Sequence, residues 1–204
     1  MSKSREKWNR IYAERIDPGN PAQVLVDNAN WLPRTGRALD AACGNGANAI
    51  FMANHGLLVD AQDISDVAIG KLQVRYRSTG LAITATAVDL TQATFEPECY
   101  DVISVIHYLE RTLTDKLIGA LKVGGLLYFQ TFTQQKDICT GPTNPKFLLA
   151  QDELLSLTHG MEVLFYRDSS SLVKVAAMNT PPVDSATIDP YAGKAAILAR
   201  KLAR

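Results

Sequence analysis

The segment Asp40-Ala41-Ala42-Cys43-Gly44-Asn45-Gly46 places a carboxylate directly before two glycines separated by one residue. Ala38-Leu39 leads into it as an apolar run, and Ala47 to His55 after it reads as a helix. A glycine loop between a strand and a helix lets a ligand touch backbone, because glycine has no Cβ and tolerates positive φ. The helix start adds unpaired N–H groups that suit polar ligand atoms. Gly44, Gly46 and Ala49 satisfy G-x-G-x-x-G/A, which is a weak signal alone. Asp40 narrows it. A carboxylate at the strand end repels the pyrophosphate that a dinucleotide site places over such a loop, whereas a cationic ligand is drawn in.

Other residues of chemical interest recur at the ends of apolar runs. Asp63 closes Leu58-Val59-Asp60-Ala61-Gln62 and follows Asp40 by 23 residues. A carboxylate there can accept from both ribose hydroxyls of a nucleoside. The competing reading is a helix cap in Asp63-Ile64-Ser65, for which Ser65 is the better candidate and leaves Asp63 free. Asp89-Leu90 ends a third run, where Asp89 can also cap a turn at Thr91. Ile106-His107-Tyr108 ends a fourth. His107 is either a general base or a pocket wall, with lining the expected role.

The elements that must position these groups alternate along the chain. Strands are expected at Ala38–Ala41, Leu58–Gln62, Ile83–Val88, Asp101–Ile106, Leu126–Phe132, Met161–Tyr166 and Ala195–Arg200. Helices are expected at Ala47–His55, Asp66–Arg77, Leu113–Lys122 and Gln151–Thr158, preceded by Ser4–Ile16 and Ala22–Leu32. This is the pattern of an α/β, Rossmann-like, doubly wound fold. Its seven-stranded, mostly parallel sheet carries helices on both faces. Residues 1–33 are expected to form an N-terminal helical cap on a compact domain spanning 34–204, with a further strand conceivable at Val173–Met178 in the long connection 168–190. Ligands of such sheets lie beyond the carboxyl ends of the strands.

Asp40 followed by x-x-Cys-Gly-x-Gly resembles the first motif of the class I methyltransferases that use S-adenosylmethionine (SAM), a ligand with a sulfonium and an ammonium. The resemblance implies SAM as cofactor. It implies contacts from Asp40, Ala42, Cys43, Gly44, Asn45 and Gly46, from Asp63 with Ile64 at the ribose, from Asp89 and Leu90 at the adenine, and from Ile106. The acceptor then meets the methyl at His107 and Tyr108. Enzymes of this class that methylate exocyclic amines carry (D/N)-P-P-(Y/F) where this chain has Ile106-His107-Tyr108, so that chemistry is disfavoured. The stretches HYLER (107–111), GGLLYFQTFT (124–133) and GPTNPKFLL (141–149) resemble small bacterial methyltransferases of the tellurite-resistance, TehB-like type. Many of these have Glu-Thr-Phe where Gln130-Thr131-Phe132 stands, which leaves open whether that position serves the acceptor or a neighbouring group. The resemblance implies a small acceptor: tellurite or selenite, a thiol, or a small oxygen nucleophile. A SAM-binding regulatory domain without turnover and a nicotinamide-dependent oxidoreductase are the alternatives. Gly141 to Pro145 either covers the acceptor side or merely connects, and Trp8, Tyr12 and Trp31 either close over SAM or pack.

Composition bounds the rest. Lys plus Arg and Asp plus Glu both total 21 in 204 residues, and this balance gives no footprint for nucleic acid or an anionic membrane surface. Cys43, Cys99 and Cys139 lie far apart with no metal spacing, so no metal site or disulfide framework is expected. The polar start of the chain and the lack of a ~20-residue apolar run predict a cytoplasmic protein; the sequence leaves open whether it is a monomer or homodimer.

Overall fold

The computed structural model describes residues 2–136, 141–168 and 189–203. Seven strands form one sheet: β1 (Arg37–Ala41), β2 (Leu58–Asp63), β3 (Ile83–Ala87), β4 (Tyr100–Ile106), β5 (Leu121–Phe132), β6 (Met161–Asp168) and β7 (Lys194–Lys201). Their order is β3-β2-β1-β4-β5-β7-β6. The first five strands pair in parallel, and β7 runs antiparallel between β5 and β6. Strand order reverses between β1 and β4, so their carboxyl ends flank the crevice where such sheets take ligands.

Helices cover both faces. α2 (Gln23–Asp27), α3 (Ala47–Asn54) and α4 (Asp66–Tyr76) bury Val24, Leu25, Met52 and Leu72 against one face, with Tyr128 and Leu198 of the sheet. α5 (Arg111–Ala120) and α6 (Glu153–Leu157) bury Leu113, Leu117 and Leu154 against the other, with Ile103 and Leu127. α1 (Lys3–Glu14) has no buried residue and rests on α4 through polar contacts such as Arg5 to Asp66. The first 33 residues thus divide in their packing, α1 on the surface and α2 in the core.

Three boundaries depart from expectation for physical reasons. The helix expected over Leu113–Lys122 ends at Ala120, because Leu121 already pairs with Tyr100. The register then shifts before Val102 pairs with Leu126, and Gly124 at φ +79° accommodates the bulge. The helix expected over Ala22–Leu32 stops at Asp27 and resumes as a short 3-10 turn, Ala29–Trp31. Asn28 interrupts it. Its amide bonds back to the Val24 carbonyl, while its own carbonyl accepts from the buried Tyr128 hydroxyl at 2.9 Å. α1 ends at Glu14, not Ile16, since Arg15 is extended. The additional strand expected at Val173–Met178 lies outside the described residues.

Candidate functional site

The crevice is built first from backbone. At its two rims stand non-glycine residues in the left-handed region, Ala42 (φ 59°) after β1 and His107 (φ 56°) after β4. Such conformations are costly for L residues and concentrate at functional sites. Gly44 (φ 53°) and Gly46 (φ 85°) complete the loop, and Gly46 begins α3 without a side-chain cap. The two glycines differ in what they face. A Cβ on Gly46 would lie 2.3 Å from Leu72 of α4, so close packing of α3 on α4 by itself requires glycine here. A Cβ on Gly44 would lie 2.5 Å from the Tyr12 hydroxyl, on the crevice side.

Asp40 is buried in the sheet and accepts from Ser104 of β4 at 2.6 Å through Oδ1, while Oδ2 is buried with no partner among the described residues. Burial lifts its carboxyl to about 7; the Ser104 hydroxyl and the Ala49 backbone pull it down, and Asp63 pushes it up. Ser104 escaped sequence reasoning, although a lone hydroxyl in Val102-Ile103-Ser104-Val105 was the available signal. Asp63 accepts from Gly44 N–H at 2.9 Å and from Ser65 N–H at 2.8 Å, one on each oxygen. Ser65 caps α4 as expected, yet Asp63 is not left free: it pins the glycine loop to the end of β2. Burial raises its pKa against the N–H groups that lower it.

The remaining loop residues are structural neighbours of these two. Cys43 is buried, its N–H on the Gln62 carbonyl, and burial raises its thiol far above the ordinary range. Asn45 is buried and donates to the carbonyls of Arg15 and Asp17 at 3.3 Å each, while its Oδ1 has no partner among the described residues. Ile64 is half-buried beside Asp63. Asp89 does cap the turn, with Oδ1 accepting from the Thr91 N–H and hydroxyl. Leu90 next to it is buried.

On the β4 side, Ile106 is buried and the His107 ring is exposed to the crevice, stacked on Phe132 at 5.0 Å. The surrounding walls still displace bulk water. That desolvation, then the charges of Lys194 and Arg15, lowers His107 to about 4. Tyr108 is pushed up to about 12 by burial and by Glu110, Asp89 and Asp63. Near neutral pH the imidazole is therefore uncharged and weakly basic, and the phenol keeps its proton.

Tyr12 is brought to the loop, stacked on Trp8 at 5.7 Å; burial and Asp63 raise its pKa well above normal. Trp31 is not brought there: it lies under Arg200, whose strand position is opposite Leu126 at the start of the paired part of β5. Gln130 is buried opposite Ile106, and its side-chain oxygen accepts from Val24 N–H of α2 at 3.3 Å. Arg111 binds Glu153 and the carbonyls of Lys146 and Leu148, fixing the segment after Pro145 to α5 and α6. Gly141 (φ 82°) packs against Phe132. Among the described residues no group of three or more His, Cys, Asp or Glu is arranged to hold a metal ion, and no helix is long and apolar enough to cross a membrane. A shallow depression is lined by Ile16 and by Asp66, Val67, Gly70 and Val74 of α4.

Glycine loop, buried carboxylates and strand order together give this chain the fold of the class I SAM-dependent methyltransferases, and residues 38–125 match the family model for the methyltransferase domain. Among curated proteins it is similar to the ubiquinone biosynthesis O-methyltransferase of Burkholderia multivorans, 31% identical over 121 residues, 56% of this chain and 52% of the relative. The chain spans about half the length of the curated relatives it matches. TehB from Haemophilus influenzae superposes with a TM-score of 0.66 at 21% identity, covering 87% of this chain and 61% of TehB. A SAM-dependent methyltransferase from Methanosarcina mazei superposes with a TM-score of 0.64 at 19% identity, covering 87% and 98%.

Proposed function

We propose that this protein transfers a methyl group from SAM to a small acceptor that arrives as an anion or as an intrinsically strong nucleophile. The observation that carries the SAM reading is the buried, unpartnered Oδ2 of Asp40 beside the glycine loop. A buried polar atom without a partner calls for one, and a cationic ligand group suits a carboxylate. When bound, SAM supplies an electrophilic methyl on a sulfonium. Asp40 would face its cationic end, with Ala42 to Gly46 offering backbone. Asp63, whose oxygens each keep acceptor capacity beyond one N–H bond, would take the ribose hydroxyls beside Ile64. Asp89 and Leu90 would take the adenine, and Ile106 would line the pocket.

The acceptor class follows from His107 and Tyr108. An imidazole lowered to about 4 and a phenol raised to about 12 are both poor bases near neutrality. These residues line, orient and exclude water, and the positive field of Lys194 and Arg15 that lowers His107 favours an acceptor already carrying negative charge. Alignment in a dry crevice is then the main rate contribution, with effective molarities of ~10⁵ M attainable. Tellurite, selenite, thiolates and acidic phenols fit; the O-methyltransferase and TehB likenesses are compatible with that range. Labelled SAM with each acceptor, read by release of S-adenosylhomocysteine, tests this. Turnover with at least one is expected. Binding of SAM with no turnover on any of them would instead mark a binding domain.

A further inference from the structure

α1 ends at Glu14, just ahead of the helix-breaking Asp17-Pro18-Gly19. No glycine directly follows Glu14, Arg15 is extended, and no residue of the helix is buried. The last carbonyls of a helix lack intrahelical partners and must find others. Here Lys71, in the middle of α4, supplies them: its ammonium donates to Tyr12 O at 2.5 Å, Ala13 O at 3.0 Å and Arg15 O at 2.8 Å. All three donors of the ammonium are thereby used, and the positive charge sits at the favourable end of the helix dipole. One turn on, Arg75 bridges the Ile16 and Asn45 carbonyls at 3.0 Å each. Asn45, inside the glycine loop, closes the circuit onto Arg15 and Asp17.

We infer that Lys71 is a positioning residue that latches α1 over the crevice. No residue of the helix is fully buried, and Asn9 holds its first half by accepting from Ser65 Oγ at 2.7 Å, so the Lys71 latch at its last turn sets how long Tyr12 stays above Gly44 and gates access to the Asp40–Gly44–Asp63 end of the site. The gating of a ligand rests on the SAM reading; the latch itself does not.

Two measurements separate them. Lys71→Met keeps the aliphatic stem and removes the donors. Hydrogen exchange of the 3–14 segment should accelerate about ten-fold in this variant, with β1 and α4 within two-fold of wild type and Lys71→Arg intermediate. Unchanged exchange in α1 overturns the latch whether or not any ligand binds. By stopped flow, S-adenosylhomocysteine should enter and leave Lys71→Met several-fold faster, with the dissociation constant moving less than either rate. Rates equal to wild type alongside a loosened α1 overturn the gate. A wild-type protein that binds no S-adenosylhomocysteine overturns the SAM reading and leaves the latch to the exchange result.

Discussion

Asp40 is the residue on which ligand choice turns. A carboxyl at about 7 in the folded chain and near 3.8 when exposed takes up a proton on folding between those values. Its stabilising contribution is complete below the lower value and is lost as pH rises through the upper one, a difference on the order of a few kcal/mol for so buried a group. Asp40→Asn should therefore melt higher than wild type at pH 8 without ligand and close to it near pH 4. The same variant should lose SAM affinity, because the cation no longer meets a charge. In wild type, SAM binding at pH 6 should release a proton and weaken as pH falls, which calorimetry in two buffers of different ionisation enthalpy reads directly. No proton release would place the cation elsewhere. His107 carries a second prediction at this scale. His107→Asn should raise the acceptor KM while leaving the shape of the pH–rate profile intact, since a group at about 4 is not the base. A rate loss of ~10² or more with a flattened profile would restore it to that role.

At the scale of elements, the glycine loop makes a distinction that spacing alone does not. Gly46 looks like the ligand-facing glycine of the motif, yet its open side is filled by Leu72. Gly46→Val, strained at φ 85° and overlapping a buried side chain, should unfold or strongly destabilise the protein by several kcal/mol. Gly44→Ala should fold and instead displace Tyr12, visible as altered Trp8 fluorescence and weaker SAM binding. A stable, SAM-competent Gly46→Val protein would refute the packing assignment. The strands and the order of elements were legible because their periodicity is local: every strand expected within the described residues is present. Lost to the sequence were features set by distant partners. The interruption at Asn28 depends on Tyr128, the burial of Gln130 on Val24, and the capping of the last α1 carbonyls on Lys71. The 141–149 stretch was ambiguous for the same reason, since only the fold brings Arg111 to Lys146 and Leu148. Arg111→Ala should loosen that segment and cost ~1 kcal/mol or more, discounted because the Arg111–Glu153 pair is partly exposed. Faster exchange confined to residues near Leu148 is the expected readout.

For the whole molecule, the reversal of strand order between β1 and β4 sets the residues that follow these two strands side by side at the carboxyl end of the sheet, while α2 is tied into the core through Tyr128 and through the Tyr191–Asp27 hydrogen bond at 2.7 Å. Ligand contacts in such a crevice draw on β1, β2, β3 and β4 together, so occupancy should stabilise the fold globally and not one loop. A ligand at a hundred times its dissociation constant adds about 2.7 kcal/mol to the folded state. For a chain of 204 residues that corresponds to a rise in Tm of about 5–10 °C. S-adenosylhomocysteine should give that shift, and NAD at the same concentration should give none, because its pyrophosphate would approach Asp40. The shift should also be smaller at pH 6 than at pH 8, where Asp40 is ionised and can hold the ligand ammonium. An equal shift with NAD would return the dinucleotide reading. A shift independent of pH would separate the ligand from Asp40 and move the cationic end of the site to other residues of the crevice.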